Sequence, residues 1–251
     1  MASHGPFDFV VVTLKNLPDV YSIPDLITPA VTCGHTAIVL IQNGIGIERP
    51  LLEAFPSNIV LSGVSMIGSA QYGGTILHND PDILYLGPFY TTILPRSDQD
   101  AAASSFAAMY CDGGAVCHVA EDIEWQRWRK LVWNSSFNTI CALTGLDSGA
   151  IQDAGCTESL VRPAMDEVVA VAKKAGYELP GDVQEQMIAF TPKELKFRPS
   201  MLVDMDKGRP MEIEVILGNL LRTARTLGCD TPVLGLVYEM LKAVQWKVTR
   251  K

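Results

Sequence analysis

The chain has 251 residues, of which 48% are hydrophobic, and its 20 Lys and Arg against 28 Asp and Glu give a formal net charge of −8. That mass suffices for one large domain or two modest ones with a sizeable core. The basic residues are scattered, which argues against nucleic acid as the main partner, and no stretch reaches the roughly 18 apolar residues of a membrane span.

In chain order, a short polar leader, MASHGP, precedes DFVVVTL (8–14), an apolar β-branched run that reads as a buried strand ending at Lys15. A helix is expected around Val20–Val31, with Pro24 near its start. TAIVLIQ (36–42) is a second strand, NGIG turns the chain into a helix at ERPLLEAF, and NIVLSGVSMIG (58–68) is a third strand. Short apolar strands separated by short helices predict a parallel α/β sheet. TILHND and DILYLGPF are expected to form antiparallel hairpins over an edge, and SDQDAAASSFAAMYCDGG a helix ending at glycines.

From about Asp122 the strand pattern stops. DIEWQRWRKLVWNSSFNTICALTG predicts one long helix. TESLVRPAMDEVVAVAKKAG, PSMLVDMDKG, MEIEVILGNLLRTARTLG and TPVLGLVYEMLKAVQWKV continue an all-helical half. The expected fold is therefore α/β followed by all-α, with an α/β domain over 1–119, a helical domain over 120–251, and a ligand crevice between them. The six cysteines form no CxxC pair and are expected to be buried free thiols. The four histidines show no metal-binding spacing, and the N-terminus has no apolar signal region, so the cytosol is the expected compartment.

Several residues carry candidate chemistry, each with a plainer reading beside it. The nearest match to a dinucleotide fingerprint is Gly44-Ile45-Gly46-Ile47-Glu48-Arg49, but Arg49 holds the third glycine position and Glu48 would repel a pyrophosphate, so NGIG reads as a turn. Asn43 stands at the carboxyl end of a strand, where sheet ligands bind, or else serves turn chemistry. Lys15 is either a solvated strand terminus or a ligand contact. Lys130, Asn134 and Asn138 fall at i, i+4 and i+8, on one helix face spanning about 12 Å. They lie among Trp128, Leu131, Val132, Trp133, Phe137 and Ile140. The stripe is a polar site in an apolar setting, where a partly desolvated lysine acts as a general acid, or a solvent-facing polar face. Glu212 and Glu214 follow Pro210, so they are helix-capping charges or one of them faces a ligand; Ser200 is a helix-start hydroxyl or a contact.

These stretches together resemble the ketopantoate reductase (2-dehydropantoate 2-reductase) family over nearly the whole chain. The likeness runs through VVVTLKN, LIQNGIG, VLSGVSMIGSAQYGGTILH, DIEWQRWRKLVWNSSFNTICALTG and SMLVDMDKGRPMEIEVILGNLLRTARTLGCDTP. The resemblance implies a Rossmann-like domain followed by a helical domain of the 6-phosphogluconate dehydrogenase C-terminal-like type, and hydride transfer from NADPH to the ketone of a 2-oxo acid. It implies that Lys130 is the general acid and that Glu212 orients the substrate. Asn134, Asn138 and Ser200 would bind the small-molecule substrate, and Lys15 and Asn43 would lie near the cofactor. Two departures stand out. Phe197 occupies a position where family members often carry an amide, which points to a bulkier or more apolar substrate. The family's first strand, glycine-rich turn and next strand–helix unit are expected to be missing here, and with them the pyrophosphate site and the residue selecting the 2′-phosphate of NADPH.

Three functional readings are open: an NADP-dependent reductase; a redox-inactive relative using Lys130 and Glu212 for a cofactor-free isomerisation, cyclisation or proton transfer; or a non-catalytic remnant. A partial parallel sheet exposes an edge, so a homodimer is expected to cover it.

Overall fold

The computed structural model describes residues 5–78 and 81–250; the first four residues of the leader, and Asn79 and Asp80 of TILHND, lie outside the described residues. The chain forms two compact units. One comprises residues up to Lys15 with Ser22–Gln42 and Ile47–Gln126; the other comprises Asn16–Tyr21, Asn43–Gly46 and Arg127–Lys251.

The first unit is built on a five-stranded sheet with spatial order β1-β2-β3-β6-β7. β1 (Phe9–Val12), β2 (Ala37–Ile41) and β3 (Val60–Met66) run parallel, as the apolar β-branched runs predict. The expected helix at 20–31 is shorter: α1 (Ile23–Ile27) starts at a Ser22 cap and gives way to a 3₁₀ turn at Thr28–Ala30. Pro29 inside that stretch cannot donate to a continuing α ladder. α2 (Arg49–Ala54) links β2 to β3.

The expected hairpins of TILHND and DILYLGPF form only in part: TILH is in a hairpin, but with residues 69–72. β4 (Ser69–Tyr72) and β5 (Thr75–His78) form a separate two-stranded ribbon, turned by Gly73 and Gly74, both at positive φ as a two-residue hairpin turn requires. DILYLGPF does not form a hairpin over an edge. Its strand β6 (Ile83–Pro88) joins the main sheet, antiparallel to β3, and β7 (Val116–Val119) continues parallel to β6. The sheet is thus mixed, where the sequence predicted parallel. The core beneath it joins Val39, Leu61, Leu84 and Leu86 to Ala103, Phe106 and Ala107 of α3 (Arg96–Asp112). Each large buried side chain there contributes about 1.5–3 kcal/mol of burial free energy.

The second unit is helical. α4 (Ile123–Trp133) begins in the first unit and runs on into a π-helical segment (Asn134–Asn138) and α5 (Thr139–Thr144), which stops at Gly145 in the left-handed conformation. The long helix is therefore present but is not α throughout. Ser136 and Thr139 donate to the carbonyls of Val132 and Ser135 at 2.6 and 2.7 Å, and such back-bonding competes with the backbone ladder. α6 (Ser148–Asp153), a second π segment (Thr157–Val161), α7 (Arg162–Lys174), α8 (Val183–Phe190) and α9 (Ser200–Asp206) come next. A third π segment (Glu214–Gly218), α10 (Asn219–Thr226) and α11 (Pro232–Thr249) complete the unit. Leu131, Phe137 and Ile140 are buried in its core with Met165, Val168, Leu202, Leu217 and Leu241.

Two further expectations are corrected or qualified. The six cysteines are free, but of these Cys141 alone is buried, and Cys33 and Cys111 are exposed. Among the described residues no helix is long and apolar enough to cross a membrane.

Candidate active site

Two short segments from the ends of strands are packed with the helices of the second unit. Asn16–Tyr21 follows β1, and Asn43–Gly46 follows β2. Asn43 opens the NGIG turn, whose glycines Gly44 and Gly46 sit at φ 95° and 67°. Gly44 is there for space as well as for φ, since a Cβ on it would lie 2.5 Å from the carbonyl oxygen of Val215. The turn is tied down on three sides. Arg127 Nη1 donates to Gly44 O at 2.9 Å, Ile45 N–H donates to Val215 O at 3.1 Å, and Asn219 Nδ2 donates to Ile45 O at 2.6 Å.

That fixed turn delivers Asn43 to Lys130. Lys130 Nζ donates to Asn43 Oδ1 at 2.9 Å, and Asn43 Nδ2 donates to Glu212 Oε2 at 3.3 Å. Glu212, 4% exposed, accepts the backbone N–H of Asn16 on its other oxygen at 2.9 Å. The result is a relay, lysine to amide to carboxylate, assembled from α4 and from segments distant in sequence. Asn43 thus spends its side chain on Lys130 and Glu212 rather than on its own turn. Glu212 points to Asn16 and Asn43, while Glu214 accepts from Tyr238 and Arg222 at 2.6 and 2.9 Å, so the two glutamates part company as their spacing requires.

Burial lowers the Lys130 pKa to about 8; the nearby Arg127 charge lowers it too, and Glu212 opposes them. Tyr21, in the other recruited segment, is raised by burial and then by Glu212. A lysine near pH 8 exchanges its proton at physiological pH far more readily than an exposed one.

Asn138 stands apart from this relay. It is 1% exposed, its Oδ1 accepts the Met201 N–H at 2.8 Å, and its Nδ2 donates to Ser200 Oγ at 3.4 Å. Ser200 is the first residue of α9, after Pro199. Asn134, 5% exposed, opens the π segment and is not part of the Lys130 relay. Phe197 packs edge-on against Trp133, with ring centroids 5.7 Å apart. Lys15 belongs to the sheet-bearing unit, where it is half-buried. Sequence reasoning missed Arg127, Asn16 and Asn219. Arg127 gave one signal, its place one helical turn before Lys130.

The glycine turn does not fit a pyrophosphate. Its Ile45 N–H, a donor that a pyrophosphate would need, is spent on Val215 O. Glu48, next to the start of α2, is 1% exposed and accepts from Ser62 Oγ at 2.6 Å. The residues that do fit a nicotinamide reductase are those suited to a carbonyl: an ammonium donor held by an amide and a carboxylate.

Comparison with known proteins agrees along most of the chain. Residues 1–90 match the family described as ketopantoate reductase PanE/ApbA, and residues 122–245 match its C-terminal region. A 2-dehydropantoate 2-reductase of Nostoc sp. is 31% identical over 94% of this chain and 73% of its own. Among solved structures, 2-dehydropantoate 2-reductase from Methylococcus capsulatus superposes with a TM-score of 0.83 at 34% identity, over 99% of this chain and 77% of that one. The enzyme of the same name from Geobacter metallireducens gives 0.85 at 31% identity, over 95% and 78%.

Proposed function

Because this chain belongs to the ketopantoate reductase family, a family of oxidoreductases, we propose that it reduces the ketone of a 2-oxo acid with NADPH. The observation that carries the reading is Lys130, held at 2.9 Å by Asn43 with its pKa lowered to about 8. NADPH supplies the hydride; no residue of the 43–46 turn is assigned to its phosphates.

Lys130 donates a hydrogen bond to the ketone oxygen and gives up its proton as negative charge develops there. Asn43 orients the ammonium, and Glu212 holds Asn43 and supplies the negative charge that keeps Lys130 protonated below about pH 8. Asn134, Asn138 and Ser200 serve the substrate carboxylate, Asn138 acting through Ser200, whose hydroxyl it holds. Lys15 is assigned to the cofactor by the family resemblance. Phe197, packed on Trp133, favours a 2-oxo acid with an apolar side chain. The proposed assembly is a homodimer, which size-exclusion chromatography checks, and the proposed location is the cytoplasm.

The second reading is a cofactor-free proton transfer between Lys130 and Glu212, favoured by the glycine turn's Ile45 N–H being spent on Val215 O. Calorimetry with NADPH, and absorbance of NADPH with a panel of 2-oxo acids, separates the two. Binding with turnover supports reduction. A chain that neither binds NADPH nor oxidises it loses the first reading for these 251 residues.

A further inference from the structure

Arg127 is 4% exposed, and a guanidinium stays charged at every physiological pH. Burying it three residues before Lys130 on α4 places two cations on one helix face, an arrangement that costs stability. Helix propensity does not require it, because an apolar residue would fill a buried position on that helix. Its contacts give the reason. Arg127 Nη1 reaches the carbonyl of Gly44, the residue that follows Asn43. The other two ties on the turn, from Val215 and Asn219, act on Ile45, so Arg127 is the tie nearest the residue that meets Lys130.

We propose that Arg127 is a positioning residue for Lys130: it fixes the backbone that carries Asn43, and its charge sets the electrostatic setting of the ammonium. The proposal rests on the reading of Lys130 as the proton donor. Among the groups that act on Lys130 are Arg127 from its own helix, Asn43 from the turn and Glu212 ahead of the third π segment. Tyr21 lies within the field of the Glu212 charge, which raises its pKa after burial does. Burial and Arg127 favour the neutral amine, and Glu212 favours the ammonium. Without Arg127 the balance tips to Glu212, and Lys130 holds its proton to higher pH. A donor is most effective when its pKa lies near the working pH, so that shift slows protonation of the ketone oxygen even where the geometry survives.

The test uses the full chain and reads Lys130 directly, by nitrogen-detected NMR titration of lysine side chains, with Lys130→Arg to assign the signal. Arg127→Met removes charge and donor, Arg127→Gln removes the charge but keeps a donor, and Arg127→Lys keeps the charge without the fork. We expect the Lys130 midpoint to move up by about one pH unit in the Met and Gln variants and to stay near its starting value in the Lys variant. Turnover of a 2-oxo acid should fall in all three, by about tenfold or more, with KM less affected. Arg129→Met, which loses only a bond to Gln186 on α8, should leave the midpoint in place. If Arg127→Met fails to fold, the Gln variant decides. A folded variant without the charge whose Lys130 titrates as in the starting protein overturns the proposal, because an arginine that merely pinned a turn would change stability and leave the titration alone. A shifted midpoint in a protein that reduces no 2-oxo acid upholds the role of Arg127 and defeats the reductase reading instead.

Discussion

At Lys130 the long helix meets charged and polar groups from three other stretches of chain, whereas at Asn138 it meets one. Lys130 is bonded to Asn43, and through it to Glu212 and the Asn16 backbone, with Arg127 alongside. Burial and Arg127 favour loss of its proton, and Glu212 opposes them. Asn138 is neutral, buried, and committed at both ends of its amide to the start of α9. The sequence placed both residues on one stripe at i and i+8. Asn138 closes the π segment that Asn134 opens, and its amide meets the start of α9 instead of the turn that reaches Lys130. One polar stripe therefore divides into a proton-handling end and an anchoring end.

The largest effect is expected at the first end. Lys130→Met should lower turnover at neutral pH by about 10²–10⁴-fold with a much smaller change in KM. An equal loss from Asn138→Ala would break the comparison. The same substitution of Lys130 should stabilise the fold. The folded pKa of about 8 lies below the value of an unfolded lysine, so between about 8 and 10.5 the unfolded chain binds more protons and stability rises with pH through that window. Below it the buried charge costs at most about 3 kcal/mol, an upper figure because Lys130 keeps some exposure. Thermal melts of Lys130→Met should therefore gain most near neutral pH and lose that advantage in alkali. In the parent protein, turnover should fall as pH rises past about 8, where Lys130 gives up its proton before the substrate arrives.

Next in size is Glu212→Gln. Two donors, the Asn16 N–H and the Asn43 amide, need both oxygens of the carboxylate. A glutamine offers one oxygen and sets an NH₂ against one of those donors. Turnover should fall by about 10- to 100-fold, equivalent to one or two charge-assisted hydrogen bonds. Glu212 also favours the ammonium, so its loss should move the alkaline limb of the pH profile to lower pH, opposite to the loss of Arg127. A limb that stays put would show that Glu212 acts by geometry alone.

Smaller still is Asn138→Ala, whose effect should fall on stability. It removes a partner from the Met201 N–H inside the protein, a loss of about 1–3 kcal/mol. Denaturant unfolding measures it. A fall in turnover as large as that from Glu212→Gln in a variant of unchanged stability would assign Asn138 to the reacting end.

These contrasts follow the line between what local sequence encodes and what it does not. β1, β2 and β3 were legible because each is an apolar β-branched run bounded by turn residues. β6 was misplaced because its partner β3 is decided by sheet pairing across the β4–β5 ribbon, and β7 is four residues with a mostly exposed pattern. In the candidate site, Lys130 and Asn138 were visible from helical spacing. The relay itself was not, since Asn43 precedes Lys130 by 87 residues and Asn16 precedes Glu212 by 196. The π turn was not legible because nothing in Asn134–Asn138 tells a π from an α hydrogen-bond pattern. Arg127 looked like one more basic residue in a charged stretch; its burial and its bond to Gly44 exist only in the folded chain.

Ser200 gives the smallest effect and the sharpest test of the anchoring end. It is exposed, it follows Pro199 at the start of α9, and its one bond to Asn138 is long at 3.4 Å. Ser200→Ala should change stability by no more than about 0.5 kcal/mol, the usual range for a surface substitution. If its hydroxyl contacts the substrate carboxylate, KM for a 2-oxo acid should rise several-fold with kcat unchanged, the signature of binding lost equally from ground and transition states. The rise should also be smaller for an alcohol or aldehyde analogue that lacks the carboxylate. An unchanged KM would confine the substrate to the Lys130 end and leave Asn138 and Ser200 as the join between two helices. A fall in kcat with KM unchanged would instead place the hydroxyl beside the reacting carbonyl, and the division of the helix into two ends would fail.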